Sequence, residues 1–189
     1  MGDEKQADLI WNRKAGTVDH RIGGRVAERI DDGNIAAVLS KWTALAFIKA
    51  AAAADPIALA LPTGNQVHRR GEEFDVTLTG ARYPYLTMFN LPPDGHVEFY
   101  VPKDDAEKLT DWRAKTFLQR FRVQDPPFGA EHLVAILTEE LAVALHEALK
   151  QMSNTDQAAG LSALLSTVLA GRSFQAGVVG IYTKGYQTN

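Results

Sequence analysis

Residues Tyr83–Pro102, YPYLTMFNLPPDGHVEFYVP, decide the fold of this chain. Side chains alternate at period two on both sides of Pro92–Gly95, which is the pattern of β-strands. Within that segment proline presets φ, aspartate favours a turn and glycine accepts positive φ. The stretch therefore predicts a β-hairpin with Asp94-Gly95 in its tight turn. Such a hairpin anchors an antiparallel sheet and carries no catalytic constellation.

The composition indicates a globular chain with a sizeable core, because 46% of its 189 residues are hydrophobic. The net charge of -3 argues against a nucleic-acid partner, which needs clustered cations. The absence of cysteine excludes disulfides, thiolate metal sites and cysteine nucleophiles, and it leaves the compartment open. The most apolar run, 35–54, contains Lys41 and Lys49, so no membrane span is expected.

Periodicity along the chain predicts both strands and helices. The predicted strands are Ala7–Asn12, Thr17–Arg21, Arg25–Ile30, Ile57–Leu61 (as a buried strand), Phe74–Thr79, the two hairpin arms, Thr116–Val123, His132–Leu137 and Gln175–Thr183. The predicted helices are Ile35–Ala54, one turn at Asp104–Leu109, Glu140–Met152 and Thr155–Ala170, and Pro62–Gly71 is predicted to be a polar loop. Periodicity alone would also let His132–Leu137 join the helix that follows, but its β-rich surroundings favour a strand.

These elements predict an α+β fold, with an antiparallel sheet or two-layer β-sandwich of roughly seven to nine strands and about three packed helices. We expect one domain over residues 1–189, in which residues 1–56 pack on a sheet core formed by 57–189. The predicted core is Ile35, Leu39, Trp42, Leu45, Leu59, Phe74, Val76, Leu78, Leu86, Phe99, Phe117, Phe121, Val134, Ile136, Leu145, Leu164, Val178 and Ile181.

Candidate catalytic motifs fail on spacing or context. His146-Glu147 begins like a zinc-protease helix, but Lys150 stands where the second histidine is needed. Glu131 and His132 are adjacent in a predicted strand, so their side chains would point to opposite faces rather than into one site. No serine elbow is present, and the glycines of Gly177–Gly180 precede no helix. We therefore expect no metal, no cofactor and no enzymatic activity.

Four stretches together resemble an uncharacterised domain found C-terminal to bacterial caspase-like peptidases. They are Asp8–Trp11 with Lys41-Trp42 downstream, Arg70–Thr79, Tyr85–Pro102, and Pro126–Ile136 with Gly180–Thr183. The hairpin departs from that family where Val101 separates Tyr100 from Pro102. The resemblance implies a caspase-like peptidase domain in cis as partner, and it carries over no catalytic residue.

The resemblance implies a non-catalytic recognition or regulatory domain that binds a peptide or protein, for example by adding a strand to a sheet edge. The candidate recognition residues are Tyr85, Asn90, Asp94, Gly95, Tyr100, Pro127, Phe128 and Gly129. The alternative is a small hydrolase or ligand-binding enzyme. A deep pocket with converging titratable groups would favour the enzyme, and a shallow groove beside an open edge would favour the binding domain.

Overall fold

The structure is a computed structural model that describes residues 8–61, 67–124, 126–155 and 160–185. Its strands are β1 Leu9–Asn12, β2 Thr17–His20, β3 Gly24–Glu28, β4 Ala58–Ala60, β5 Val67–Arg69, β6 Glu73–Thr79, β7 Tyr85–Leu91, β8 Glu98–Val101, β9 Phe117–Arg122, β10 Ala130–Thr138 and β11 Phe174–Lys184. Its helices are α1 Ile35–Ala54, α2 Asp105–Lys108, α3 Val143–Thr155 and α4 Leu161–Leu169, with one 3-10 turn at Trp112–Ala114. The fold is α+β, as predicted, with eleven strands in these ranges rather than seven to nine.

The predicted hairpin is confirmed as β7 and β8. Phe89 pairs with Phe99 and Asn90 pairs with Glu98 in an antiparallel register. The N–H of Gly95 donates to the carbonyl oxygen of Pro92 at 3.0 Å, and Gly95 has a φ of 86°. The turn chemistry of the sequence therefore forms the turn it predicts.

The hairpin belongs to a five-stranded sheet in the order β5-β11-β10-β7-β8. β10 runs antiparallel to both neighbours, and β11 lies between β10 and β5. β5 is parallel to β11 and lies inside the segment that the sequence predicts to be a polar loop, so that prediction is wrong for Val67–Arg69. Residues 62–66 of that loop lie outside the described residues.

A second sheet, in the order β4-β6-β9, packs on one face of the large sheet, and α1, α3 and α4 pack on the other. Because both faces are covered, six of the seven residues of β7 are buried. The strand predicted at Ile57–Leu61 is confirmed as β4, but its predicted burial is wrong, because β4 is an edge strand whose residues are exposed or half-buried and only Ile57 beside it is buried. β1, β2 and β3 form a separate antiparallel sheet that shares a small apolar cluster with α1.

The bounds of α1 are those the sequence predicts, and its last residue precedes Asp55-Pro56. Its buried face differs from the prediction, because Leu39 is 50% exposed, Trp42 is half-buried and Lys41 is fully buried. The apolar residues spaced by three and four cover more than one side of the helix, so their spacing does not identify the buried face. The residues of α1 that are buried are Val38, Lys41, Ala44, Leu45 and Ile48. By length and hydropathy α1 is also a candidate membrane span, but here it packs against β11 and α4.

The remaining helices start later than predicted. α3 begins at Val143 rather than Glu140, and α4 begins at Leu161 rather than Thr155, with residues 156–159 outside the described ranges. α2 confirms the predicted single turn, where the Asp104 side chain accepts from the N–H of Glu107 at 2.8 Å.

Candidate functional site

The side chains between the two stacked sheets change from apolar to polar along the strands. Over most of the strand length the facing side chains are apolar, as in Leu86, Met88 and Leu133 against Val76 and Leu78. Where β7 ends and β10 begins, the same face of the large sheet carries polar side chains instead. Period-two alternation brings them together, because the polar residues of each strand continue its inward-facing row.

A cavity of about 90 Å³ lies at this polar end, and we call it the interlayer pocket. It is lined by Phe74, Asn90, Pro92, His96, Glu98, Tyr100, Phe121, Arg122, Val123, Gln124, Pro127, Glu131, Leu133, Ile181 and Thr183. The large sheet supplies the carboxyl groups and the amide. The small sheet supplies the aromatic rings of Phe74 and Phe121, whose centroids are 5.8 Å apart.

Glu98 is the centre of the hydrogen-bond network in the interlayer pocket. Its Oε2 accepts from the side chain of Asn90 at 2.9 Å and from the hydroxyl of Tyr100 at 2.7 Å. Its Oε1 lies 3.3 Å from Nε2 of His96. Burial alone would raise the pKa of Glu98, but the hydrogen bonds from His96, Asn90 and Tyr100 outweigh it and lower the pKa to about 2. Glu98 is therefore a carboxylate throughout the physiological pH range.

His96 is held between two carboxylates. Its Nδ1 lies 2.6 Å from Oδ1 of Asp94, and its Nε2 faces Glu98. Burial would lower its pKa, but the hydrogen bonds to Asp94 and Glu98 outweigh it and raise the pKa to about 10. The ring is therefore an imidazolium, and it neutralises much of the charge of its two partners.

Glu131 enters the same network from β10. Its Oε2 accepts from the Asn90 side chain at 3.2 Å, so one amide nitrogen bridges Glu131 and Glu98. Burial and the neighbouring carboxylate of Glu98 raise the pKa of Glu131, although hydrogen bonds from Thr183 and Asn90 act against that rise. Two carboxyl groups that share one donor thus have pKa values moved in opposite directions.

Lys41 approaches this network from the helix layer. Its Nζ donates to the carbonyl oxygen of Pro92 at 2.8 Å and to that of Ala130 at 2.5 Å. Burial lowers the pKa of this lysine to about 7, while the charges of Glu131 and Asp94 act in the opposite sense. The lysine therefore ties α1 to the end of β7 and the start of β10, beside the interlayer pocket.

The described residues contain no group of three or more His, Cys, Asp or Glu side chains placed to hold a metal ion. The polar atoms of Glu98 that line the pocket already accept hydrogen bonds from Asn90, Tyr100 and His96. The pocket therefore contains carboxyl groups that accept hydrogen bonds from neighbouring protein groups, between aromatic walls. Such a lining suits hydrogen-bond donors and cations rather than anions.

The eight candidate recognition residues do not form one site. Asn90, Tyr100 and Pro127 line the interlayer pocket, and Asp94 reaches it through His96. Gly95 and Gly129 are packing positions, since a Cβ on them would lie 2.3 Å from backbone atoms of Ala37 and 2.5 Å from the carbonyl oxygen of Val26. Phe128 packs against Gly185, and Tyr85 begins β7, at the end away from the pocket. Their role in recognition stays a prediction.

Sequence reasoning missed Glu98, His96 and Glu131 as members of one site. His96, Glu98 and Tyr100 share one side of the second hairpin arm by alternation, but alternation does not show that the second sheet covers that side. The register that pairs Asn90 with Glu98 was an available signal for part of the network. The prediction that Glu131 and His132 share no site is confirmed, because Glu131 lines the pocket while the His132 ring packs against Trp42 at 5.4 Å.

No family model matches this chain, and no curated protein matches it. Among solved structures, the chain is similar to that of the sulfur carrier protein SoxY from Chlorobium limicola f thiosulfatophilum, with 13% sequence identity and a TM-score of 0.34. The alignment covers 76% of this chain and 98% of the SoxY chain. A likeness this remote carries no argument about fold or function.

Proposed function

We propose that this chain is a non-catalytic recognition domain that binds an extended peptide or protein segment by adding a strand to β9. The expected source of that segment is a caspase-like peptidase domain in the same protein, as the sequence resemblance implies. The observation that carries the proposal is the open edge of β9 beside the interlayer pocket.

β9 is the last strand of the small sheet, and no strand within the described ranges pairs with its outer side. β9 pairs with β6 on its other side, and the N–H of Val123 donates to Glu72 in that direction. Backbone groups alternate in an antiparallel pair, so Leu118, Arg120 and Arg122 direct their N–H and C=O groups outward. An exposed row of this kind is the template that strand addition uses.

The side chains of this edge support a binding role. Leu118 is 62% exposed at the edge, while Arg120 pairs with Asp75 on the outer face. Charged residues on an edge also protect against aggregation, and Arg120 and Arg122 serve that purpose as well. At its C-terminal end the edge reaches the interlayer pocket, since Phe121, Arg122, Val123 and Gln124 line it.

The volume of the pocket favours recognition over catalysis. The chain has both an open sheet edge, which is expected of a binding domain, and converging titratable groups, which are expected of an enzyme. These two criteria alone therefore do not separate the two functions. Small-molecule sites usually occupy about 300–1,000 Å³. The 90 Å³ available here is well below that range and suits the end of one side chain.

The test is to pan phage-displayed random decapeptides on the full chain and to measure the affinity of the enriched peptides for two variants. Arg120→Pro removes an outward N–H without removing a bond to β6, and Arg120→Ala removes the side chain but keeps that N–H. We expect Arg120→Pro to weaken binding at least about tenfold, the equivalent of one hydrogen bond, relative to Arg120→Ala. Enrichment of no peptide, or equal affinity for the two variants, would overturn strand addition at β9.

A second candidate is a hydrolase, and one observation favours it. Glu98 and Glu131 share the Asn90 donor, and their pKa values are moved in opposite directions, which is how acid and base roles are often assigned. Chromogenic ester and peptide substrates, assayed with and without zinc, should give background rates only. Saturable turnover that disappears in Glu131→Gln, or in His132→Gln, would replace the recognition proposal with the enzyme.

A further inference from the structure

We infer that the interlayer pocket binds the cationic end of a basic side chain, with lysine preferred over arginine, carried by the segment that pairs with β9. This inference rests on the proposed function, since the pairing segment brings the side chain to the pocket. It adds the chemistry of the partner, which the open edge alone does not specify.

The carboxyl groups of the interlayer pocket have hydrogen-bond acceptor positions left over. A carboxylate offers about four acceptor positions. Glu98 uses at least three of them on Asn90, Tyr100 and His96. Glu131 accepts from Asn90 and Thr183, so half of its positions remain for a donor entering the pocket. An ammonium group offers three donors and no acceptor, and it therefore complements this carboxylate.

The charges inside the interlayer pocket also favour an entering cation. The imidazolium of His96 lies between Asp94 and Glu98 and offsets part of their charge. Lys41 donates to main-chain oxygens on the helix side rather than to Glu131. Arg122 lines the interlayer pocket at its rim and is exposed to solvent. Within the described ranges, Glu131 is thus the carboxyl group lining the pocket to which no cation is hydrogen-bonded, and an entering cation supplies that partner.

The size and aromatic lining of the interlayer pocket suit the end of a lysine side chain. Phe74, Phe121 and Tyr100 form aromatic walls, and the rings of Tyr100 and Phe121 are 5.3 Å apart. Aromatic faces attract cations and accept the methylene stem that carries them. The cavity of about 90 Å³ is small, which favours the compact ammonium of lysine over the larger planar guanidinium.

The experiment measures binding of the host peptide acetyl-Thr-Val-Xaa-Val-Thr-amide to the full chain by calorimetry, with lysine, arginine, norleucine or glutamate at Xaa. Norleucine is the matched control, because it keeps the stem of lysine and lacks the charge. We expect the lysine peptide to bind at least tenfold more tightly than the norleucine peptide, and the glutamate peptide to bind most weakly. Equal affinity for lysine and norleucine would overturn the inference.

Two further measurements assign the preference to this pocket. Glu131→Gln should reduce the lysine preference to less than threefold, while Glu147→Gln on α3, outside the pocket, should leave it unchanged. In the unmodified protein, n-butylammonium chloride should displace the lysine peptide and not the norleucine peptide, with sodium chloride at equal ionic strength as the control. A lysine preference that survives Glu131→Gln would contradict the inference. Displacement of both peptides by n-butylammonium would contradict it as well, and because that measurement uses the unmodified protein, it does not depend on whether a variant folds.

The outcomes separate this inference from the proposed function. Peptides that bind through β9 with no preference for lysine would sustain strand addition and overturn the pocket assignment. In another outcome no host peptide binds, but n-butylammonium shifts the amide NMR signals of the Asn90 side chain. That result would support cation binding in the interlayer pocket and count against strand addition at β9. Absence of both signals would overturn both proposals.

Discussion

The Nζ atom of Lys41 lies 2.5 Å from the carbonyl oxygen of Ala130, so a fully buried ammonium on α1 is bonded directly to the first residue of β10. A second bond to Pro92 ties the same atom to the end of β7. Buried cations persist only with such compensation, because desolvation disfavours the charge. The helix layer is therefore anchored to the sheet beside the interlayer pocket.

This anchor predicts a pH dependence of stability. The pKa of Lys41 is lowered from 10.5 to about 7 in the folded protein, so the unfolded chain binds more protons between these values. Stability from this group is thus present above pH 10.5 and is lost as the pH falls towards 7, at roughly 1 kcal/mol per pH unit within that window. Guanidinium unfolding of Lys41→Met should lack this component when pH 7 is compared with pH 10.

The control for that comparison is Lys49→Met, at an exposed position of the same helix. It should retain the pH dependence of the parent protein. The other titrating groups are common to both variants, so their contributions to the free energy of unfolding cancel when the two variants are compared. A Lys41→Met protein whose stability changes with pH as the parent's does would show that Lys41 is not buried as described.

Gly95→Ala should destabilise the protein far more than a positive φ alone requires. The left-handed conformation costs a non-glycine residue about 1–2 kcal/mol, and the new Cβ would also lie 2.3 Å from backbone atoms of Ala37 in α1. Gly80→Ala is the matched control, since Gly80 has a φ of 82° and a Cβ added there would meet no atom within 4 Å. The difference between the two unfolding free energies measures the contact with α1, and equal losses would disprove it.

His96 should remain an imidazolium well above neutral pH, because its folded pKa is about 10. Its contribution to stability is complete below the ordinary histidine pKa of 6.5 and is lost as the pH rises through 10. NMR titration of the ring protons measures this directly, and Asp94→Asn should lower the midpoint by about 1–3 pH units. Asp105→Asn, at an exposed carboxylate, should leave it in place. A midpoint near 6.5 in the parent protein would contradict the network around Glu98.

Trp42→Ala should lose about 2–3 kcal/mol, at or below the lower end of the range for a fully buried aromatic residue. The side chain is half-buried, and its ring stacks on His20 at a centroid distance of 5.1 Å. Leu39→Ala, three residues earlier, should lose less than about 0.5 kcal/mol because Leu39 faces solvent. The reverse order of the two losses, measured by denaturant unfolding, would mean that α1 is rotated from the orientation described.

Local signals in the sequence were sufficient for the hairpin and for the bounds of α1. Turn residues and a residue before proline act within a few positions, so their effect is visible without the rest of the fold. The identity of the buried face of α1 was not local. Lys41 is buried because two carbonyl groups distant in sequence, at Pro92 and Ala130, compensate it.

The site was less predictable than the fold for the same reason. β5 has three residues, two of them charged or titratable, and it forms because β11 offers a parallel neighbour. Glu131 was rejected correctly as a partner for His132, but its true neighbours, Asn90 and Glu98, lie on other strands. Alternation predicts which side chains share a face, and only the stacking of a second sheet shows which face is enclosed.

The position of β11 between β5 and β10 has a consequence for synthesis of the protein. Among the described elements β11 is the last to leave the ribosome, yet in the large sheet β5 pairs only with β11, and β10 needs β11 on the side that faces away from β7. Until residue 184 has emerged, the nascent chain holds β5 and one side of β10 with unsatisfied backbone groups. Translation arrest or truncation before β11 therefore yields a chaperone client rather than a shortened working domain.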